Sequence, residues 1–264
     1  MAIAFKTLWR RIRAIWLTLG ALIFVVFTSW SLIAYRASPS ARNALVSDSR
    51  VEVTRDGKSI RFVPAPSVGR SPVRLLFFPG ALVDPVAYAP LARAAAESGC
   101  LAIILEVPKR GAFGGADDPE LYRRARALVA GPVGVTRWVI AGHSRGGVIA
   151  VNLAAQQPPG LAGLVLIGTS HPRDVSLASL AVPVTKIVGT RDGLASPTEV
   201  RTNASLLPSS TRWVWIEGGN HSQFGWYGFQ PGDRFAEISR DQQHHLTIQA
   251  LVSALKAVES RQPE

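Results

Sequence analysis

One short segment constrains the fold of this chain more than any other. Residues 142–146 read Gly-His-Ser-Arg-Gly, with an apolar run before them and an alanine-rich helical pattern after them. A strand, a sharp turn and a helix in that order lift the Ser144 hydroxyl above a sheet edge, in a strained backbone conformation. Gly142 and Gly146 suit the close passage of strand and helix, where a side chain would collide. We therefore expect Ser144 to be a nucleophile; the alternative is an ordinary glycine-rich turn.

The chain from residue 73 onward alternates short apolar runs with helical patterns. The runs predict strands at residues 73–78, 101–107, 138–141, 161–168, 184–188 and 212–216, and the patterns predict helices at 86–98, 119–130, 144–157, 197–206 and 240–259. Because the runs show little polar alternation, we expect an α/β fold: a mostly parallel sheet with helices on both faces. Alternation around Asp56-Gly57 predicts an N-terminal hairpin with a type I′ turn. Residues 168–182 are too few for a helical cap, which predicts an open site.

Residues 14–35 form an uncharged apolar stretch of membrane-spanning length. As a helix they would extend about 33 Å, against a hydrocarbon core of about 30 Å. Four cationic side chains precede the stretch, so we expect one transmembrane signal anchor, with the N-terminus cytoplasmic and the rest extracytoplasmic. A cleaved signal peptide is the alternative. We divide the chain into a basic tail and anchor at 1–36, a polar tether at 37–49 and a folded domain at 50–264.

Charge and cysteine content argue against several other classes. The net charge is +11, but residues 1–42 hold six cations and no acid, so much of the excess flanks the apolar stretch. We therefore expect no nucleic-acid partner. The single cysteine, Cys100, cannot form an intrachain disulfide and lies at the start of an apolar run, as a buried inert thiol would. No zinc-type spacing or phosphate-binding glycine motif occurs, so we expect neither a metal nor a cofactor.

A nucleophilic serine needs a base. His221 directly follows the last predicted strand, at the same sheet edge as Ser144, and is the expected base. The other histidines fit the role less well. His143 should point into the scaffold, His171 could line the pocket, and His244 and His245 should lie on the surface of the last helix.

The base in turn needs an acid that orients it, placed between the serine and the histidine along the chain. Asp192 directly follows a predicted strand, and residues 196–199 read Ser-Pro-Thr-Glu, a capping box that begins the next helix. This places Asp192 in a strand-to-helix loop facing the site. Asp174, one strand earlier, is the competitor.

The developing oxyanion needs backbone N–H donors. We expect them from Arg145, which follows the nucleophile, and from Ala81, where Gly80 allows close approach of the backbone. The pocket wall is predicted from neighbouring loop residues. These are Leu82, His143, His171, Gln223, Phe224 and Trp226.

Three glycine-containing segments, 142–147, 189–193 and 218–225, resemble the α/β-hydrolase superfamily. With residues 79–91 and 227–233, the sequence is similar to the compact bacterial hydrolases grouped as "α/β hydrolase fold-5". The resemblance covers roughly residues 72–260 and implies an α/β-hydrolase fold with a triad of Ser144, Asp192 and His221. It implies no substrate. Arg145 departs from the Leu or Met that is common after the nucleophile.

Two hypotheses for function follow. The first is a membrane-anchored serine hydrolase that cleaves carboxylic esters through an acyl-enzyme, with amidase or acyltransferase activity as the runner-up. The second is a non-catalytic binding protein that kept the fold. Retention of all three triad members and both turn glycines favours the first. The expected partners are a small ester or acyl substrate and the lipid bilayer, the latter through residues 14–35.

Overall fold

The computed structural model describes residues 2–131 and 136–261, so residues 1 and 262–264 of the predicted tail and domain lie outside the described chain. One sheet has the strand order β1-β2-β4-β3-β5-β6-β7-β8. Strands β3 to β8 run parallel, and the β1–β2 hairpin adds to β4 in antiparallel fashion. The strands are β1 Val51–Arg55, β2 Ser59–Pro64, β3 Val73–Phe78, β4 Leu101–Leu105, β5 Arg137–His143, β6 Leu161–Ile167, β7 Val184–Gly189 and β8 Arg212–Ile216.

Helices cover both faces of this sheet, which confirms the predicted α/β fold. One core lies between the sheet and helices α3 and α7, and a second lies between the sheet and helices α4 and α5. Alternate residues of the central strands enter opposite cores, which is why their sequences are apolar throughout. The helices are α1 Ala2–Ala34, α2 Pro39–Asn43, α3 Ala89–Glu97, α4 Pro119–Val129, α5 Arg145–Ala155, α6 Pro197–Thr202 and α7 Arg240–Glu259.

The hairpin turn differs from the predicted type I′. The N–H of Asp56 donates to the carbonyl of Ser59, so Gly57 and Lys58 are the central residues. Only Gly57 has a positive φ, +74°, whereas a type I′ turn needs two such residues. Glycine at the first central position fits a type II′ turn. The Asp56 carboxylate accepts the N–H of Lys58 and of Ser59 and stabilises this arrangement.

Residues 37–49, predicted as a polar tether, pack onto the domain. The hydroxyl of Ser38 accepts the N–H of Ala41 and caps α2. Ala37 and Ala41 are fully covered within the core because their small side chains allow the backbone to approach closely. The segment is therefore part of the fold rather than a free linker.

His244 corrects a second expectation. It was predicted at the surface of α7, but it is buried, with its ring centroid 5.5 Å from that of Trp226. The loop that follows β8 returns over this side of α7 and covers the ring. Its neighbour His245 is exposed, as predicted.

Helix α1 packs against the cores only at its C-terminal end, through Ala34. Among the described residues it is the one helix long and apolar enough to cross a membrane, over Lys6–Ala34. Only 6% of its most apolar window is buried, so α1 is not a core helix of the domain. Its C-terminal end is hydrogen-bonded to the domain: the carbonyl of Ala34 accepts the N–H of Gly228 at 2.9 Å.

Candidate active site

Ser144 sits on a strained turn between β5 and α5. Its backbone adopts φ 53° and ψ −120°, a conformation rarely seen outside glycine. A Cβ on Gly142 would lie 2.1 Å from the carbonyl oxygen of Gly146, and a Cβ on Gly146 would lie 2.0 Å from the carbonyl oxygen of Phe78. Both distances are far inside van der Waals contact. The two glycines therefore allow the turn that raises the Ser144 hydroxyl above the carboxyl edge of the sheet.

Asp192 and His221 form a buried pair at the same edge. His221 Nδ1 lies 2.9 Å from Oδ2 and 3.1 Å from Oδ1 of Asp192. Because an ionised carboxylate only accepts hydrogen bonds, Nδ1 carries the proton and Nε2 is free to accept one. The Asp192 carboxylate also accepts the N–H of Leu194 at 2.9 Å and of Ala195 at 2.7 Å, which fixes its orientation. The predicted capping box at Ser196 begins the following helix.

Ser144 and His221 line one cleft of about 200 Å³. His221 Nε2 is buried and has no hydrogen-bond partner among the described residues, so the Ser144 hydroxyl does not donate to it in this structure. Such bonds are often long before substrate binds. The residues that the structure describes include no cluster of three or more His, Cys, Asp or Glu side chains able to hold a metal ion.

Two backbone N–H groups beside Ser144 are available to a ligand. A Cβ on Gly80 would lie 3.5 Å from Cβ of Ser144, so the loop after β3 borders the nucleophile. The Gly80 N–H already donates to the Tyr88 hydroxyl at 3.2 Å. The N–H groups of Ala81 and Arg145 have no acceptor in the described part of the chain. The sequence pattern predicts these two groups as the oxyanion donors, and that role stays a prediction.

Tyr88 and His143 support this loop from below. The Tyr88 hydroxyl lies 2.8 Å from Nδ1 of His143 and is placed to donate its proton there. The His143 ring is fully buried, 4.5 Å from the ring of His221 between centroids. Burial and the neighbouring His221 hold the pKa of His143 well below its ordinary value. His143 is therefore neutral and adds no positive charge next to the candidate base.

Asp233 connects the loops that carry the acid and the base. One carboxylate oxygen accepts the N–H of Gly193 at 3.1 Å and of His221 at 3.2 Å. The other accepts the N–H of Ser222 at 2.8 Å and its hydroxyl at 2.7 Å. Sequence reasoning assigned no role to Asp233, because nothing in the local pattern indicates contact with a loop about 40 residues away.

Lys186 is a second residue near the cleft that sequence reasoning did not identify, because it lies within strand β7. Its side chain is 1% exposed, and its ammonium donates to the carbonyl of His171. Burial lowers the pKa of Lys186 to about 7. His171 lines the cleft, and burial, with the nearby cations Arg173 and Lys186, lowers the pKa of its imidazole to about 4. The His171 ring is therefore neutral at neutral pH.

The six predicted pocket residues have different positions. His171 is the one that lines the cleft with Ser144 and His221. Trp226 lines a separate groove beside α7. The rest lie outside the lining of the cleft: Leu82, His143, Gln223 and Phe224. Asp174, the competing acid, is exposed and does not contact His221.

Sequence comparison identifies the family. A sequence model of the alpha/beta hydrolase family (Abhydrolase_5) matches residues 74–245, a span that includes the whole candidate site. The chain belongs to the alpha/beta hydrolase family. Among curated proteins, no sequence matches this alpha/beta hydrolase.

Solved structures share the fold of this alpha/beta hydrolase at low sequence identity. TT1662 from Thermus thermophilus is 17% identical, with a TM-score of 0.57 over 80% of this chain and 99% of that one. XC6422 from Xanthomonas campestris, described as an a/b serine hydrolase without a lid, is 17% identical, with a TM-score of 0.52 over 83% and 99%. Carboxylesterase CesB from Bacillus subtilis is 11% identical, with a TM-score of 0.52 over 88% and 98%. At such identities the likeness shows the fold alone.

Proposed function

We propose that this alpha/beta hydrolase is a membrane-anchored serine hydrolase that cleaves carboxylic esters. The observation that carries the proposal is the buried Asp192–His221 pair, 2.9 Å apart, which opens on the same cleft as Ser144 on its strained turn. An acid, an imidazole and an alcohol in this order are the parts that acyl transfer requires. Neighbours described as a serine hydrolase and a carboxylesterase support the same chemistry.

In the proposed mechanism, the Ser144 hydroxyl attacks the ester carbonyl and its proton passes to Nε2 of His221. The Asp192 carboxylate holds Nδ1–H and stabilises the imidazolium that forms. The former carbonyl oxygen, now negatively charged, accepts hydrogen bonds from the backbone N–H groups of Ala81 and Arg145. The intermediate collapses, and the alcohol leaves with the proton from His221. Water, deprotonated by His221, then hydrolyses the acyl-enzyme and regenerates Ser144.

A fluorophosphonate probe tests the nucleophile directly. The wild-type chain should be labelled, and Ser144→Ala should not, because the probe forms a covalent bond only with an activated serine. Ser209→Ala is a matched control, since Ser209 is exposed in the loop before β8 and does not line the cleft. A correctly folded wild-type chain that takes up no label would contradict the proposal and favour a non-catalytic member of the fold. Hydrolysis of p-nitrophenyl esters of graded length would then define the acyl preference.

The anchor is a separate part of the proposal. We infer that α1 crosses the bilayer with its basic N-terminus in the cytoplasm, which places the hydrolase domain outside it. Support comes from the length and apolarity of Lys6–Ala34 and from its low burial. Full-length protein should resist extraction with alkaline carbonate. Release into the soluble fraction would contradict the anchor and leave the proposed chemistry untouched.

A further inference from the structure

Helix α1 is attached at the edge of the sheet that carries the candidate site. Its last carbonyl, that of Ala34, accepts the N–H of Gly228, in the loop that follows His221. One residue on, the carbonyl of Tyr35 accepts the N–H of Asp84, in the loop that follows Ala81, at 2.9 Å. A tyrosine contact adds to these bonds: the rings of Tyr35 and Tyr227 pack edge to face, with centroids 6.0 Å apart. The apolar helix therefore leaves the domain from the carboxyl ends of the strands.

A second contact lies further back along α1. The ring of Phe24 packs against Phe113, with centroids 5.8 Å apart. Phe24 is ten residues before Ala34, or roughly 15 Å along the helix axis. Phe113 belongs to residues 111–116, Gly-Ala-Phe-Gly-Gly-Ala, which carry no charge. This loop borders Ala81, one of the two candidate oxyanion donors, since a Cβ on Gly111 would lie 3.7 Å from Cα of Ala81. An uncharged loop next to the nucleophile thus lies beside the candidate membrane span.

The same edge carries most of the exposed apolar side chains outside α1. Of the six large ones among the described residues, four lie on loops around the candidate site. Phe229 and Phe235 stack on one another with centroids 5.0 Å apart, in the loop between β8 and α7. Phe235 is 79% exposed, more than any other large apolar side chain among the described residues outside α1. We define these four residues as the apolar rim: Phe113, Leu194, Phe229 and Phe235.

From these observations we propose that the apolar rim inserts into the facing leaflet of the bilayer that α1 crosses, with Phe113 deepest because it packs on Phe24, so that the cleft opens at the membrane interface. The proposal rests on the anchor proposed above. A group of exposed aromatic rings is unfavourable in water and favourable at the acyl boundary of a bilayer. The fixed attachment of α1 at the same edge holds the rim against that surface. We infer that the substrate is an amphiphilic ester held in the membrane.

Fluorescent labels test the position of the rim without using enzymatic activity. The native Cys100 is 2% exposed, so a cysteine introduced at the surface can be labelled selectively. Full-length Phe113→Cys and Phe235→Cys, each carrying a polarity-sensitive fluorophore, are reconstituted in phosphatidylcholine vesicles with and without brominated lipid. Val46→Cys is the matched control, because Val46 is 65% exposed and lies close to the start of β1, at the opposite edge of the sheet.

Labels at residues 113 and 235 should shift to shorter wavelength and be quenched by brominated lipid, while the label at 46 should show neither change. If all three labels behave alike in vesicles that retain the protein against carbonate, the rim does not touch the bilayer and the proposal is wrong. If carbonate releases the protein, the anchor fails instead. Neither outcome depends on whether the chain is an esterase.

Charge substitutions give a second, independent test. Phe113→Asp and Phe235→Asp should lower the hydrolysis of a long-chain ester embedded in vesicles by about tenfold or more, because apolar burial is lost. Hydrolysis of a short, soluble ester should change less than about twofold, since neither side chain lines the cleft. Val46→Asp should affect neither substrate. Equal losses on both esters would show that the rings act on the fold rather than on the membrane.

Discussion

At the scale of single residues, Asp233 joins the two loops of the candidate triad and does not line the cleft. It accepts backbone N–H groups from both the Asp192 loop and the His221 loop. Asparagine has the same shape but only one acceptor oxygen, so its amide nitrogen must face either the N–H groups of Gly193 and His221 or the N–H of Ser222, and the bonds on that side are lost. We expect Asp233→Asn to lower kcat roughly 100-fold with KM little changed, because the imidazole is displaced from its attack geometry. Steady-state kinetics on a soluble ester measure this.

A matched control for Asp233 is available on the surface. Asp174→Asn removes the same charge from an exposed position that does not contact His221. It should retain full activity. A wild-type kcat for Asp233→Asn would contradict a positioning role. So would a loss of activity that is explained entirely by a lower unfolding midpoint.

Lys186 carries a charge that the fold covers, with consequences for stability. Its pKa is lowered from 10.5 to about 7, so between these values the folded state binds fewer protons than the unfolded state. The free energy of unfolding therefore rises with pH across this window. Relative to Lys186→Met, the wild type should gain roughly 2 kcal/mol between pH 7 and pH 9. Urea unfolding of both detergent-solubilised proteins checks this. If the free energy of unfolding varies with pH in the same way for both proteins, the prediction is wrong.

At the scale of elements, the turn between β5 and α5 leaves no room for a side chain at either of its two glycines, Gly142 and Gly146. Gly146→Ala would place a methyl group 2.0 Å from the carbonyl oxygen of Phe78. We expect a loss of about 3 kcal/mol or more in the free energy of unfolding, because two backbones must separate. Gly131→Ala is the control, since its methyl group would lie 3.5 Å from the nearest atom, at Thr136. Thermal unfolding midpoints compare the two, and equal shifts would contradict the steric argument.

Elements that depend on local pattern could be predicted from the sequence. Strands β3 and β8 and helix α7 have the predicted bounds, because a mostly apolar run defines each strand and the capping serine Ser239 begins the helix. The hairpin turn could not be assigned correctly from Asp56-Gly57 alone. The type of the turn depends on which residues pair across the two strands. Asp56 lies before the two central residues of the turn, and its carboxylate accepts the N–H of Lys58.

At the scale of the whole molecule, long-range convergence limited what could be predicted. The order of the strands and the capping box at Ser196 were enough to predict that Asp192 and His221 meet at one edge of the sheet, where the structure places them 2.9 Å apart. Their catalytic role stays a prediction. The Tyr88–His143 contact and the Asp233 network join distant loops, and no local signal marks them. The packing of residues 37–49 was missed for the same reason, because alanine and serine are equally typical of linkers.

The packing of residues 37–49 onto the domain gives a further prediction. The N–H of Ser38 donates to the carbonyl of Trp226 at 2.8 Å, and Ala41 is fully covered. Cleavage by a signal peptidase between residues 34 and 41 would remove part of the fold, so we expect the mature protein to keep these residues. Intact-mass measurement of membrane-purified protein checks this. A mature N-terminus beyond residue 35 would show that α1 is a signal peptide.

The far end of α7 has a practical consequence. The guanidinium of Arg137, at the start of β5, donates to the carbonyls of Val258 and Glu259 at 2.9 and 3.1 Å. The end of α7 therefore lies at the edge of the sheet opposite Ser144. We expect a purification tag or a fused reporter at the C-terminus to leave the mouth of the cleft unobstructed, because it would be attached beyond this end of α7.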